Sequence, residues 1–257
     1  MKQVYSTLFW TFLALSCVPF FFMALVILAV TWPFDRNRVV LHLFTCAWAQ
    51  LYFRMNVMWR MRVAGREKLP WRGAAVLVAN HESLGDILVL FGLFRPFKWV
   101  SKRSVFSVPF LGWNMWLNGY VGVVRGDRES VIRMLRECEA WLDRGMPVLL
   151  FPEGTRSPDG QVKAFKDGAF VLATKKGCPV IPIVLTGTSR ALPKHGFVIR
   201  DHVDCRVQVL DPVDPAPFGG DVAALREHVR GLMIAEKDRM EGRVPAHGSA
   251  RLEQRLG

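Results

Sequence analysis

Paired cysteines are missing from this sequence. Its five cysteines are scattered, and none forms a Cys-x-x-Cys pair: Cys17, Cys46, Cys138, Cys178 and Cys205. This spacing excludes both a zinc site of that kind and a disulfide framework, and it is typical of a protein in a reducing compartment. We therefore expect all five cysteines to be packing residues.

Acidic residues are scarce relative to basic ones. The chain has 34 lysines and arginines against 22 aspartates and glutamates, a formal charge of +12 and a pI near 10.0. Such a charge suits either nucleic acid or an anionic membrane surface. The sequence has no helix-turn-helix, zinc-finger or RNA-recognition signature. We therefore expect membrane phospholipid, and no nucleic acid, as a partner.

Charged residues are absent altogether from residues 3–34, and residues 8–30 are almost wholly apolar. About 20 apolar residues suffice to span a bilayer, whereas the apolar region of a cleaved signal peptide has only about 7–15. The length therefore favours a retained membrane segment. Pro19 lies inside it, so the segment is either one membrane helix or a helical hairpin divided at the proline.

The basic residues that follow this segment predict its orientation. Lys2 is the only charge before it, whereas seven lysines and arginines come soon after it: Arg36, Arg38, Arg54, Arg60, Arg62, Arg66 and Lys68. By the positive-inside tendency, the rest of the chain lies on the cytoplasmic face of an inner (cytoplasmic) membrane.

A second helix is predicted over residues 39–61, which are rich in aromatic residues and methionine. Its Trp48, Tyr52 and Trp59 are suited to a headgroup interface, because an apolar ring with a polar edge is stable there. The alternative is an ordinary helix packed on the domain, and the sequence does not decide between the two.

The remainder alternates short apolar runs with amphipathic stretches. Strands are predicted at 74–79, 97–101, 120–124, 147–151, 180–185 and 203–210, and helices at 84–94, 127–144, 164–176 and 221–240. Strands that are apolar throughout and separated by helices predict an α/β fold, a mostly parallel sheet flanked by helices. Ligand sites in such sheets lie in the loops after the carboxyl ends of the strands.

The first of these loops carries a histidine and an aspartate, His81 and Asp86. A histidine at the end of a strand can take a proton from an alcohol at neutral pH, and a carboxylate can fix its tautomer and balance its charge. Five residues span about 140° of a regular helix. The two side chains can therefore meet only if His81 lies in the turn ahead of the helix.

The loop after the strand at 147–151 reads Pro-Glu-Gly-Thr-Arg-Ser. Gly154 lets the backbone approach a ligand, Thr155 offers a hydroxyl, and Arg156 offers a fork of donors that matches phosphate. Glu153 is positioned either to fix that arginine or to bind a substrate hydroxyl. The loop is thus a candidate anion site.

Two further cations follow predicted strands. Arg125 stands just before the predicted helix at 127–144, where exposed N–H groups and the helix dipole favour an anion. Lys102 follows the strand at 97–101. Both are candidate ligands for a phosphate.

Together, these segments resemble the glycerolipid acyltransferase family, and most closely the bacterial 1-acylglycerol-3-phosphate acyltransferases. The first family motif, Asn-His-x4-Asp, is matched by Asn80, His81 and Asp86. The second is matched at Arg125, the third (Phe-Pro-Glu-Gly-Thr-Arg-Ser) in full by residues 151–157, and the fourth by residues 180–184. Lys102 matches the lysine segment between the first two motifs, and the resemblance covers roughly residues 64–210.

The resemblance implies transfer of a fatty acyl group to the free hydroxyl of 1-acylglycerol 3-phosphate (lysophosphatidic acid), giving phosphatidic acid. His81 is then the general base and Asp86 its partner, while the polar head is held by Lys102, Arg125, Glu153, Gly154, Thr155 and Arg156. No metal and no cofactor is implied, since the donor, acyl-coenzyme A or acyl carrier protein, is a co-substrate. The alternatives are another lysophospholipid or a lyso-aminolipid as acceptor, or a non-catalytic membrane lipid-binding protein.

The composition and the pattern of predicted elements divide the chain. Residues 1–61 are expected to form a membrane-anchoring helical segment, residues 62–242 an α/β acyltransferase domain, and residues 243–257 a loosely ordered tail.

Overall fold

A computed structural model describes residues 2–157, 159–190 and 202–243 of the chain. The helices are α1 (Lys2–Thr31), α2 (Val39–Met55), α3 (Gly85–Phe91), α4 (Leu111–Leu117), α5 (Arg128–Asp143), α6 (Gly168–Lys176) and α7 (Val222–Met240). The strands are β1 (Trp59–Ala64), β2 (Val76–Ala79), β3 (Lys98–Lys102), β4 (Val121–Val123), β5 (Val148–Leu150), β6 (Val180–Thr186) and β7 (Val203–Val209). The protein is therefore of the α/β class.

The strands form one sheet in the order β1-β7-β6-β2-β5-β3-β4. Every neighbouring pair is parallel except β6 and β7, which are antiparallel. Alternate residues of β2 face opposite sides: Leu77 packs with α2 and α3, whereas Val76 and Val78 pack with α5, α6 and α7. Because both faces are covered by helices, the central strands are apolar throughout. The predicted mostly parallel sheet flanked by helices is confirmed.

The two N-terminal helices lie antiparallel as a helical hairpin. The Tyr5 hydroxyl near the start of α1 donates to the Asn56 Oδ1 just after α2 at 2.9 Å, and Ser16 and Tyr52 pair through their hydroxyls at 2.8 Å. α1 runs without a break through Pro19, so of the two alternatives left open for this segment, the structure has the single helix and not the division at the proline.

α1 has the character of a membrane helix. Among the helices of the described ranges, it alone is long and apolar enough to cross a bilayer. Its most apolar 18-residue stretch has a mean hydropathy of 2.7, and only 11% of that stretch is buried. Its packed stripe faces α2 and α4, the latter through the Phe21 ring against Phe110 and Trp113. α4 forms within residues 103–118, which the sequence left irregular.

The predicted helix over residues 39–61 is too long. α2 ends at Met55, and Trp59–Ala64 form β1, which pairs in parallel with β7. The buried and exposed residues of β1 alternate with the period of a strand. The predicted domain boundary between residues 61 and 62 therefore falls inside a strand of the sheet.

Three aromatic residues considered for a headgroup interface are buried instead: Trp48, Tyr52 and Trp59. The Trp48 indole donates to the Tyr52 hydroxyl at 2.6 Å, and Tyr52 packs on α1. The interface interpretation of these residues is wrong, and the packed alternative is confirmed. All five cysteines are buried and unpaired, as expected of packing residues.

The limits of the other elements shift by a few residues. α3 spans only Gly85–Phe91 of the predicted 84–94, and α6 begins at Gly168 and not at 164. Asp127 caps α5, because its carboxylate accepts from two backbone N–H groups of the first turn. The expected loose tail at 243–257 lies outside the described residues from 244 onward.

A buried lysine joins the α1–α2 connection to the sheet. The Lys98 ammonium of β3 donates to the carbonyl oxygens of Asn37 and Asn118, each at 2.7 Å, and lies 4.3 Å from the centre of the Trp141 ring. Burial, with a smaller contribution from the charge of Arg38, lowers the pKa of Lys98 to about 7.

Candidate active site

The predicted site segments meet at one edge of the sheet. β2, β5, β3 and β4 are neighbours in that order and run in parallel, so their carboxyl ends share an edge. Since neighbouring strands lie about 4.8 Å apart, the loop carrying Arg156 is adjacent to that of His81. By the same spacing, Lys102 starts about 10 Å from β2 and Arg125 about 14 Å from it.

His81 and Asp86 form a hydrogen-bonded pair. α3 begins at Gly85, so His81 lies in the turn ahead of it, where the sequence required it to be. The His81 Nδ1 lies 2.7 Å from the Asp86 Oδ2. The same oxygen accepts the backbone N–H groups of Glu82 at 2.7 Å and Ser83 at 3.0 Å, and the Thr188 hydroxyl donates to the Asp86 Oδ1. Asp86 is completely buried.

This arrangement determines the tautomer of His81. An ionised carboxylate only accepts hydrogen bonds, so the proton of a neutral His81 ring lies on Nδ1 and the lone pair on Nε2. Nε2 has no hydrogen-bond partner among residues 2–157, 159–190 and 202–243, and it is not a fully enclosed atom. The nitrogen that can act as a base therefore points away from Asp86.

The loop after β5 forms the seat of His81. The Glu153 Oε1 accepts the His81 backbone N–H at 3.0 Å, and the Ser157 N–H donates to the His81 carbonyl at 2.8 Å. The Phe151 ring stacks on the imidazole with centroids 4.0 Å apart and planes 15° apart. The loop thus fixes both the backbone and the ring plane of His81.

Glu153 does not contact Arg156, although the sequence allowed that pairing. Its Oε2 accepts the Lys163 N–H at 3.3 Å, so both carboxylate oxygens are engaged with backbone donors. Burial raises the pKa of Glu153, opposed by the hydrogen bonds from His81 and Lys163. The geometry thus makes Glu153 a residue that positions the His81 backbone. Arg156 is half-buried, and its guanidinium has no partner in the part of the chain that the structure describes.

The Gly154 backbone takes a left-handed conformation with φ +69°. This φ favours glycine, and the flexible end of the Lys166 side chain packs against it, with the Lys166 Cε 2.8 Å from the position that a Cβ would take. Thr155 beside it is exposed. Two further cations lie in this loop, Lys166 and Lys163, and the sequence analysis did not identify them. The Lys163 Nζ donates to the Arg156 carbonyl at 3.4 Å.

Lys102 and Arg125 are brought to the same edge but not into contact with the pair. Lys102 ends β3, Arg125 lies two residues beyond β4, and both side chains are exposed. Neither forms an ion pair with a described acidic residue. Both are therefore open to an external anion.

The end of β6 and the loop after it support the site from the other side, and the loop was not foreseen as a part of it. The Asn80 side chain donates to the Leu185 carbonyl at 2.9 Å and accepts the Leu185 N–H at 2.7 Å. The Ser83 hydroxyl donates to the Thr188 carbonyl at 2.8 Å. The polar residues flanking His81 were the available signal, since buried polar groups require partners.

Comparisons with known proteins agree with this geometry. Residues 60–186 match the sequence model of the Acyltransferase family. A 1-acyl-sn-glycerol-3-phosphate acyltransferase of Chlamydomonas reinhardtii is 39% identical over 199 residues, which is 75% of this chain and 58% of the relative. The enzyme of the same name from Escherichia coli K12 is 32% identical over 65% of this chain and 69% of the relative. The chain spans about half the length of the algal and plant relatives, between 51% and 58%.

The fold has a counterpart among solved structures. The crystal structure of the 1-acyl-sn-glycerophosphate (LPA) acyltransferase PlsC from Thermotoga maritima matches with a TM-score of 0.76 at 24% identity, over 93% of this chain and 96% of that one. The fold, the matched domain and the relatives agree with each other, and the chain belongs to the acyltransferase family of the 1-acyl-sn-glycerol-3-phosphate acyltransferases.

Proposed function

We propose that the protein transfers a fatty acyl group from a thioester donor to the free hydroxyl of 1-acylglycerol 3-phosphate, giving phosphatidic acid in phospholipid biosynthesis. The observation that carries the proposal is the His81–Asp86 pair, whose Nε2 is left without a partner by the described residues. The names of the relatives support this acceptor.

The reaction needs one base. His81 Nε2 takes the proton of the acceptor hydroxyl as its oxygen attacks the thioester carbonyl carbon, and Asp86 stabilises the imidazolium. The tetrahedral intermediate then collapses, the carbon–sulfur bond breaks, and the leaving thiolate takes the proton from Nε2. The products are the ester and a free thiol, His81 is restored, and neither a cofactor nor a covalent acyl-enzyme takes part.

The acceptor phosphate is assigned to the cations around the same edge. Arg156 is the first choice because its loop adjoins that of His81 and its guanidinium has no partner among the described residues. Lys102 and Arg125 are the next choices, at increasing distance from β2 and the His81 loop. Lys166 lies against Gly154. A planar guanidinium binds two phosphate oxygens at once, which fixes the glycerol as well as its charge.

The membrane segment serves the acceptor. A lysolipid lies in the leaflet, and drawing its chain into water costs about 0.8 kcal/mol for each CH₂. The α1–α2 hairpin anchors the sheet domain at that leaflet, on the cytoplasmic face of the inner membrane by the distribution of basic residues.

The domain division proposed from the sequence is kept, with the boundary between the anchoring segment and the α/β domain moved ahead of β1.

A panel of acceptors tests the proposal. Purified protein is given lysophosphatidic acid, other lysophospholipids or a lyso-aminolipid, each with acyl-coenzyme A and with acyl carrier protein as donor, and the products are identified by mass. Phosphatidic acid should form fastest, and the two donor series identify the donor. A faster reaction with another lysolipid supports the alternative acceptor. If no combination of acceptor and donor gives a product, the result supports the non-catalytic lipid-binding function instead.

A further inference from the structure

A buried ion pair lies directly behind the His81–Asp86 pair. Glu82, next to His81, contacts the ammonium of Lys237 on the last turn of α7, and the two residues are only 7% and 2% exposed. The Lys237 Nζ also lies 3.0 Å from the Glu241 carboxylate and donates to the Leu185 carbonyl at 3.3 Å. Lys237 therefore contacts the His81 loop, the end of β6 and its own helix.

The ion pair connects to Asp86 through one hydroxyl. Thr188, which is fully buried, has its Oγ1 in contact with the Asp86 Oδ1 and 3.3 Å from the Glu82 Oε2. A hydroxyl has a single proton, and the shorter contact assigns it to Asp86. Glu82 holds the Thr188 loop through the next residue, since its Oε2 accepts the Ser189 N–H at 3.4 Å. Glu82 also donates its own backbone N–H to Asp86. A displaced Glu82 thus disturbs Asp86 through both its backbone and Thr188.

The charges around this cluster show why a cation is needed. Asp86 and Glu82 bring two carboxylates into one buried region, where unpaired charge is strongly disfavoured. The Cys205 thiol of β7 faces the same region, and burial, followed by the charges of Asp86 and Glu82, raises its pKa to about 12. Among the described residues, Lys237 is the one lysine or arginine paired with Glu82.

We propose that Lys237 is a positioning residue for the reaction: it neutralises Glu82 and, through Glu82 and Thr188, keeps the Asp86 carboxylate directed at the His81 Nδ1. This inference rests on the proposed function. Lys237 and Thr188 both lie beyond residues 60–186, which match the family model, so the matched domain does not contain all the residues that order its own site. Lys237 acts through other residues and contacts no substrate.

The experiment compares Lys237→Met with a matched control on the same helix. Arg239→Met also removes one cation from α7, but the Arg239 side chain is 57% exposed. For Lys237→Met we expect kcat to fall by at least about tenfold and both KM values to stay within about twofold, because positioning acts on the transition state. The acidic limb of its pH–rate profile should move to higher pH, because a cation has been removed near the base. Arg239→Met should match the wild type.

Two further variants keep the inference testable if Lys237→Met does not fold. The double variant Glu82→Gln/Lys237→Met removes both charges of the Glu82–Lys237 pair, so its kcat should be at least about fivefold higher than that of Lys237→Met. Thr188→Val removes the hydroxyl without changing charge and should lower kcat at unchanged KM. A Lys237→Met enzyme that behaves like Arg239→Met, a double variant no better than the single one, or a Thr188→Val enzyme with wild-type kcat each overturns the inference.

A readout without turnover separates this inference from the proposed function. The imidazole Nδ1–H bonded to Asp86 should give a low-field proton NMR signal, assigned by its loss in His81→Gln. We expect the signal to shift or broaden in Lys237→Met and to persist in Arg239→Met. An unchanged signal in Lys237→Met contradicts the positioning role even if the wild type acylates nothing, whereas an inactive wild type with a displaced signal contradicts only the proposed function.

Discussion

Asp86→Asn is the substitution whose outcome the structure defines most closely. The Asp86 Oδ2 accepts three N–H groups, from His81, Glu82 and Ser83. An asparagine NH₂ cannot face three donors, so the asparagine oxygen must take that place and the NH₂ must face Thr188. The Thr188 hydroxyl can then accept from the NH₂ and donate to the Glu82 Oε2, 3.3 Å away.

The variant therefore keeps its hydrogen bonds and the His81 tautomer but loses the negative charge. The imidazolium then faces a neutral acceptor in place of a carboxylate, and the lost charge stabilisation is on the order of the 1.5–3 kcal/mol that a hydrogen bond to a charged group contributes, or about 10- to 150-fold in kcat. The fall should be smaller than the roughly 10⁴-fold known from a serine protease triad, where the amide enforces the wrong tautomer. KM for the acceptor should change little, because Asp86 is buried behind His81.

Steady-state kinetics, with each substrate varied in turn, checks the Asp86→Asn prediction, and the thermal unfolding midpoint checks the fold. A kcat within threefold of wild type would refute the charge-balancing role of Asp86. An effect confined to the acceptor KM would make Asp86 a binding residue instead.

Three other predictions follow from the site and the fold. Arg156→Lys should raise the acceptor KM by at least about tenfold and leave the donor KM unchanged, because lysine lacks the fork that matches phosphate; a change in the donor KM alone would assign Arg156 to the donor. Glu153→Gln should lower kcat by about 5- to 10-fold at nearly constant KM, since the amide has one oxygen for the two backbone N–H groups that Glu153 now accepts; a selective rise in acceptor KM would restore the substrate-binding role expected from the sequence. The pKa of Lys98 is about 7 in the fold against an ordinary value of 10.5, so between these values the unfolded chain binds one more proton and stability rises with pH. Urea unfolding at pH 7, 8 and 9 should show the wild type gaining up to about 1.4 kcal/mol per pH unit relative to Lys98→Met, and parallel pH curves would contradict this.

The sequence was most informative where the decisive interaction is local. The five-residue spacing allowed the His81–Asp86 contact if His81 lay in the turn ahead of the helix, the resemblance implied the pair, and the contact is made within one loop. The central strands were recognisable because burial on both faces makes them apolar throughout. β1 was missed because its aromatic residues and methionine continue the composition of α2, and its period of two extends over only six residues.

The contacts that order the site could not be read from the sequence, because they depend on which strands become neighbours. Glu153 lies 72 residues from His81, and Lys237 lies 155 residues from Glu82. Spacing along the chain predicts contacts within a turn or a helix, but not the order of strands that brings distant loops together. The motif assigned Glu153 to the substrate, whereas the fold places its carboxylate against the His81 backbone.

His81→Ala tests the central claim most directly. His228→Ala is the matched control, because His228 is an exposed histidine on α7 whose ring lies against Phe218 and which belongs to none of the site segments. Both variants and the wild type are given lysophosphatidic acid and the better donor, and phosphatidic acid is quantified by mass. A positioned general base contributes about 10²- to 10⁴-fold. The rate of His81→Ala should therefore fall by at least about 100-fold, while His228→Ala should keep the wild-type rate. A His81→Ala enzyme that retains more than about a tenth of the wild-type rate would contradict the assignment of His81 as the general base.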